Sequence, residues 1–211
     1  MRILLIAALA MLPHVAHAVG DNDGGGGGGN GGGSNDGGGN NDGGNNGGGS
    51  AKDDKDDVNP PMATKTTLEC VEGEIWDEKT EVCVEVQGNL LDNDQRYRAL
   101  RELAYAGRPA EAMAVLDTMT EGQTARVMTY RGFLLRKTGE IEAGIAAYEE
   151  AIRIDPANIL ARSYYGQLLV EMNELKLASL QLDAIRQHGG NGTWAESALY
   201  IAIATGKTYN F

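Results

Sequence analysis

Outside the first eighteen residues, the cysteines and histidines of the chain are Cys70, Cys83 and His188. His188 closes an amphipathic stretch, where a cationic side chain is ordinary at a helix C-terminus. The paired carboxylates Glu149-Glu150 are adjacent in a helical run and therefore do not face one another. The chain contains no GxSxG, HExxH or phosphate-loop pattern, so no catalytic residue is assigned and an enzyme is not expected. Two thiolates and one distant histidine also fall short of the four ligands zinc takes, so neither metal nor cofactor is expected. One further side chain has usable chemistry. Trp76 could stack on a sugar face, although an aromatic packed against a disulfide is the favoured role in so small a module.

The fate of the two thiols follows from the start of the chain. Arg2, the apolar run Ile3 to Leu12 and then Ala16-His17-Ala18 form the pattern of a secretory signal peptide over residues 1–18. The run is about half the roughly twenty residues a spanning helix needs, and no later segment is longer, so no transmembrane segment is expected. No cysteine stands beside the cleavage site to carry a lipid. The expected location is periplasmic or secreted, an oxidising space in which Cys70 and Cys83 pair as a disulfide. The formal charge of minus 12 becomes minus 13 once Arg2 leaves with the leader. Such acidity excludes a nucleic-acid partner, whose phosphates demand clustered Lys and Arg.

Three regions must position these residues. Residues 19–61 are nearly all Gly, Asn and Asp from Gly20 to Ser50, followed by a charged run at Lys52 to Asp57 and a closing Pro60-Pro61. They lack the apolar residues of a core and read as a disordered linker, with a reach of about 35 Å for roughly forty residues. Residues 66–87 alternate β-branched and charged residues around Asp77-Glu78-Lys79-Thr80, the pattern of a hairpin. Closing the loop between its cysteines should contribute about 3 kcal/mol, which a lone two-stranded hairpin needs. The run from Cys70 to Val84, C-x-x-G-x-I-W-D-x-x-T-x-x-C-V, resembles the cysteine-bounded hairpin of peritrophin-type chitin-binding modules. That resemblance implies carbohydrate or cell-wall binding through Trp76 as an alternative function.

Residues 92–211 place apolar residues three and four apart and predict consecutive amphipathic helices. Self-comparison finds a repeat of 32 and then 34 residues, relating Leu103 to Leu135 and Leu169, Ala112 to Gly144 and Ala178, and Leu116 to Tyr148 and Leu182. The units run over 93–124, 125–158 and 159–192, with a last helix at 194–205. In the middle unit Gly132, Gly139, Tyr148, Ala151 and Pro156 match the small, turn, large, small and closing positions of the tetratricopeptide-repeat (TPR) family, which this region resembles. Met128, Arg131 and Gly144 depart from the usual residues.

The resemblance implies an all-α fold: a short helical solenoid of three pairs and a capping helix, following the disulfide hairpin and the linker. Ala198, Leu199, Ile201 and Ile203 suit the capping role, since a solenoid's last apolar face needs cover. A homo-oligomer contact through that helix is the alternative. The family's groove positions transfer to Tyr97, Arg101 and Tyr105 in the first unit and to Arg126, Thr129, Phe133, Arg136 and Lys137 in the second. In the third they fall on Ser163, Gln167 and Val170. The implied function is an adaptor of the cell envelope whose basic, aromatic groove takes a partner protein's acidic or carboxylate-bearing segment. The family's Lys and Asn clamp for a chain terminus has no counterpart at these positions.

Overall fold

Capping side chains open several of the helices in the computed structural model, which describes residues 59–209. The expected signal peptide, and the linker as far as residue 58, lie outside the described residues. The elements are α1 (Lys65–Leu68), β1 (Glu74–Asp77), β2 (Val82–Glu85), α2 (Asn93–Tyr105), α3 (Pro109–Asp117), α4 (Ala125–Thr138), α5 (Ile141–Ile154), α6 (Ile159–Glu171), α7 (Leu175–Gln187) and α8 (Trp194–Thr205). Asp92 opens α2 with a full capping box: its carboxylate accepts from the Gln95 amide at 2.8 Å while the Gln95 side chain accepts from the Asp92 amide at 3.1 Å. Thr124, Asn158 and Thr193 cap α4, α6 and α8 through their side-chain oxygens. Pro109 sits at the start of α3, where its missing N–H costs no helical bond. Helix α5 ends at Ile154 because Asp155, ahead of Pro156, adopts extended backbone.

The helices pair as α2 with α3, α4 with α5 and α6 with α7, while α8 lies against α6 and α7. Small residues decide how closely a pair approaches. A Cβ at Gly132 would lie 2.7 Å from the Tyr148 ring, and one at Gly144 would lie 3.2 Å from the Gly132 carbonyl oxygen. Gly132 of α4 thus faces Tyr148 of α5, and Gly144 faces the Gly132–Arg136 backbone, so the two helices run antiparallel. Of the three repeated series, Ala112, Gly144 and Ala178 are all buried, as are Leu116, Tyr148 and Leu182; Leu103 and Leu169 are buried while Leu135 is half-covered. Helix α8 covers the end of the array through Ala195, Ala198, Leu199 and Ala202, with the Leu199 side chain filling the space over Gly166. Ile201 departs from the capping role expected of it. It is 42% exposed, beside the exposed Tyr200, because the buried stripe of α8 falls on residues 195, 198, 199 and 202, one step off its direction.

The described residues are mostly helical, with the expected hairpin as a two-stranded antiparallel sheet in which Glu74 faces Glu85 and Trp76 faces Cys83. Cys70 and Cys83 are bonded to each other. The turn is held by Asp77, which accepts hydrogen bonds from the Lys79 amide and the Thr80 hydroxyl. Ile75 and Val86 enter the same core as Leu100, Leu103 and Val115, so the hairpin is packed onto α2 and α3. Polar groups seal that joint. Arg96 is buried and donates to the carbonyls of Leu91 and Gly88, at 2.8 and 2.6 Å, and Gln95 donates to Asp77 at 2.8 Å. The short α1, which alternation alone does not predict, is fixed by Thr66, whose hydroxyl accepts from the Trp76 amide at 3.2 Å.

Candidate functional site

Helices α2, α4 and α6 bring the aromatic residues of the expected groove into one continuous row. Tyr97 packs edge-on to Tyr130 at 5.6 Å, Tyr130 lies against Tyr164 at 6.1 Å, and Phe133 packs on Tyr164 at 4.9 Å. Tyr105 stacks on Phe133 at 6.0 Å, and its hydroxyl is hydrogen-bonded to that of Tyr164. Trp194, at the start of α8, extends the row against Tyr105 and Tyr164. Burial, with Tyr130 next, pushes the Tyr105 phenol well above its ordinary range, so it remains neutral. The i, i+4, i+8 spacing of Tyr97, Arg101 and Tyr105 makes this alignment legible on α2. Tyr130, Tyr164 and Trp194 were missed by transferring family positions, although each lies one residue or one turn from a transferred position or at the first residue of a helix.

The cationic residues are there as well, but they are already paired. Arg126 bridges Glu121 at 2.7 Å and Asp94 at 2.8 Å, with its guanidinium 4.8 Å from the centre of the Tyr97 ring. Arg136 is buried and meets Glu171 through two hydrogen bonds of 2.9 and 2.5 Å, the bidentate arrangement that suits a guanidinium and a carboxylate. Burial opposes the charge of Arg136, yet Glu171 holds its pKa above the ordinary value. Partial burial likewise disfavours the Glu171 anion, and the hydrogen bonds from Arg136 and Thr208 outweigh it, leaving that carboxyl below its usual range. Lys137 is half-buried, 5.4 Å from the centre of the Phe133 ring, and its pKa is pulled down first by burial and then by neighbouring Arg136.

Polar groove residues meet protein groups rather than open solvent. Thr129 donates to the Ala125 carbonyl at 2.7 Å and accepts from the Asn158 side chain at 3.1 Å, tying the middle hairpin to the start of α6. Ser163 donates to the Ala195 carbonyl at 2.7 Å, and Val170 is buried beside Ala178 and Ala202. Tyr97, Thr129, Phe133 and Gln167 are each at most 4% exposed. The family positions therefore select a covered face, where the resemblance implied an open groove.

Two segments of the chain supply part of that cover. On one side, Arg101 donates at 2.6 Å to the carbonyl of Asn59, inside the expected linker, and at 3.1 Å to the Tyr130 hydroxyl. Beside it the buried Glu102 carboxylate accepts from the amides and hydroxyls of Thr64 and Thr67. A buried guanidinium or carboxylate demands such partners, and the hydroxyl-rich run Thr64 to Thr67 is the sequence signal that could have pointed to Glu102. On the other side, the segment after α8 lies against α4 and α6. The Tyr209 amide donates to Gln167 Oε1 at 3.0 Å, Lys137 Nζ donates to the Tyr209 carbonyl at 3.4 Å, and the Thr208 hydroxyl donates to Glu171 at 2.5 Å. The Tyr209 ring rests on Trp194 at 5.4 Å.

The remaining candidate residues stand apart from this face. Trp76 is half-buried with the Lys65 ammonium 4.0 Å from the centre of its ring, a position a stacked sugar would otherwise take. His188 is exposed at the end of α7, Glu150 is paired with Arg153, and Glu149 accepts from the Tyr165 hydroxyl. Among the described residues no helix is long and apolar enough to cross a membrane. No family model, curated protein or solved structure matches the chain.

Proposed function

We propose that this chain is an exported adaptor of the cell envelope, a TPR-type solenoid that binds a segment of a partner protein along the face of α2, α4 and α6. The observation that carries the reading is that this face already holds peptide backbone: Gln167 accepts from the Tyr209 amide and Lys137 donates to the Tyr209 carbonyl. A surface that satisfies both the N–H and the C=O of one residue beside an aromatic row has the two ingredients of segment recognition, backbone hydrogen bonds for affinity and side-chain packing for specificity. Export to the periplasm or beyond is supported by the leader pattern and by the disulfide, which persists in oxidising compartments. A binding role also fits the chemistry, since both thiols are consumed in that disulfide and the Glu150 carboxylate is tied to Arg153.

The paired state of Arg126 and Arg136 alters the expected partner. An acidic segment would compete with Glu121, Asp94 and Glu171 for charges those carboxylates already neutralise. The reading favours a segment recognised by backbone and aromatic contacts over one recognised by net charge. Placing a photo-crosslinking residue at Lys137, and another at the exposed Tyr200 as control, tests it in the native envelope. A defined protein adduct from position 137 and none from position 200 is expected; equal adducts from both positions, or none from 137, would reject the binding face.

A further inference from the structure

The strongest clue to what this face accepts is what rests on it. Gly206, with φ +69°, ends α8 in the left-handed conformation and turns the chain back across the array. Residues 207–209 have no helix or strand of their own and meet α4 and α6 by side-chain-to-backbone hydrogen bonds. Each contact reads a generic or simply described feature: an amide by Gln167, a carbonyl by Lys137, a hydroxyl by Glu171 and an aromatic ring by Trp194. The groups doing the reading are themselves held in place. Gln167 is 1% exposed and donates to Ser163, while Glu171 is fixed by the buried Arg136.

We propose that residues 207–209 are an internal ligand, a displaceable occupant of the partner site, and that the partner presents an extended segment of the same chemistry, a hydroxyl residue followed by an aromatic one. This rests on the adaptor reading and adds the ligand class and its regulation. The incoming segment replaces the Thr208 hydroxyl at Glu171, the Tyr209 backbone at Gln167 and Lys137, and the Tyr209 ring at Trp194. Because the occupant is tethered by a single turn at Gly206, its effective concentration is high. At an effective concentration of about 1 mM, an occupant whose own intrinsic dissociation constant is about 10 µM makes an incoming peptide bind about a hundredfold more weakly. The site is thereby closed to weak ligands and open to strong or multivalent ones.

The test uses the full chain and a labelled synthetic peptide with the sequence of residues 204–211. In the variant carrying Thr208→Glu and Tyr209→Ala, a carboxylate is set beside Glu171 and the ring on Trp194 is lost, which should free the face. Fluorescence anisotropy should show the peptide binding this variant about a hundredfold more tightly than the wild type. A peptide carrying the same two substitutions should bind neither. Equal affinity for both chains, or no binding to a variant whose circular dichroism matches the wild type, would overturn the proposal. A second variant, with residues 207–209 replaced by Gly-Ser-Gly, adds no charge and must give the same gain if the first misfolds. In the wild type, excess unlabelled peptide must move the Tyr209 amide resonance to its unstructured position, and an unmoved resonance would equally overturn displacement. Peptide binding with no crosslinked partner at position 137 would reject the adaptor reading alone, whereas a crosslinked partner insensitive to both variants would reject displacement alone.

Discussion

At the scale of single residues, the molecule depends on close approaches and on ion pairs such as Arg136–Glu171. Gly132→Ala would place a methyl 2.7 Å from the Tyr148 ring, so it should destabilise by about 1–3 kcal/mol in urea denaturation. Gly139→Ala meets nothing within 4 Å and bears only the left-handed backbone at φ +88°, which should cost about 1 kcal/mol. Arg136→Ala would leave Glu171 partly buried with no guanidinium. A loss of roughly 2–3 kcal/mol is expected, below that of fully buried pairs because the Glu171 side chain keeps access to water. Glu171 also sets a pH dependence. Its folded pKa lies below the ordinary value of 4.5, so its contribution is complete above that value and is lost as pH falls through the depressed one. Midpoints followed from about pH 7 down to about pH 3 should decline, and Glu171→Gln should lower the neutral midpoint while flattening the decline. The glycines were legible in the sequence because they match the small and turn positions of the family this region resembles. The ion pair was not, since residues 35 positions apart on different helices share no local pattern.

At the scale of elements, the hairpin and the helices hold together for different reasons. Helices α2, α4, α6 and α8 each carry a start signal in a capping side chain, and α4 and α8 stop at a left-handed glycine. Asp92→Ala removes one side of the α2 capping box and should cost about 1 kcal/mol. The hairpin depends on its crosslink and on its seat against α2. Reduction of Cys70–Cys83 should lower stability by about 3 kcal/mol, read as a reductant-dependent shift of the denaturation midpoint. Alkylation of the unreduced protein should add no mass. Alternating residues and paired cysteines made the hairpin readable from the chain. Helix α1 was not readable, because four residues cannot sustain a helix alone; it forms where Thr66 meets the Trp76 amide and Thr64 and Thr67 meet Glu102.

At the scale of the whole molecule, three helical hairpins and a covering helix bring one face of α2, α4 and α6 together, and parts of the chain on either side of the array fold back onto it. The repeat periodicity announced the hairpins, since the same small and large residues recur at 32 and 34 residues. Occupancy of the face was not announced. Asn59 falls in the expected linker and Gly206 to Tyr209 follow the last expected helix, and their role arises only from groups on distant helices that need partners. Reading the face as a peptide site held by its own chain therefore stands or falls on whether Tyr209 is docked in solution. Hydrogen exchange of the Tyr209 amide, resolved by nuclear magnetic resonance, measures this directly. Protection relative to an unstructured peptide, lost on Gln167→Ala in a chain whose helical circular dichroism is retained, is the predicted result; exchange at the unstructured rate in the wild type would contradict it.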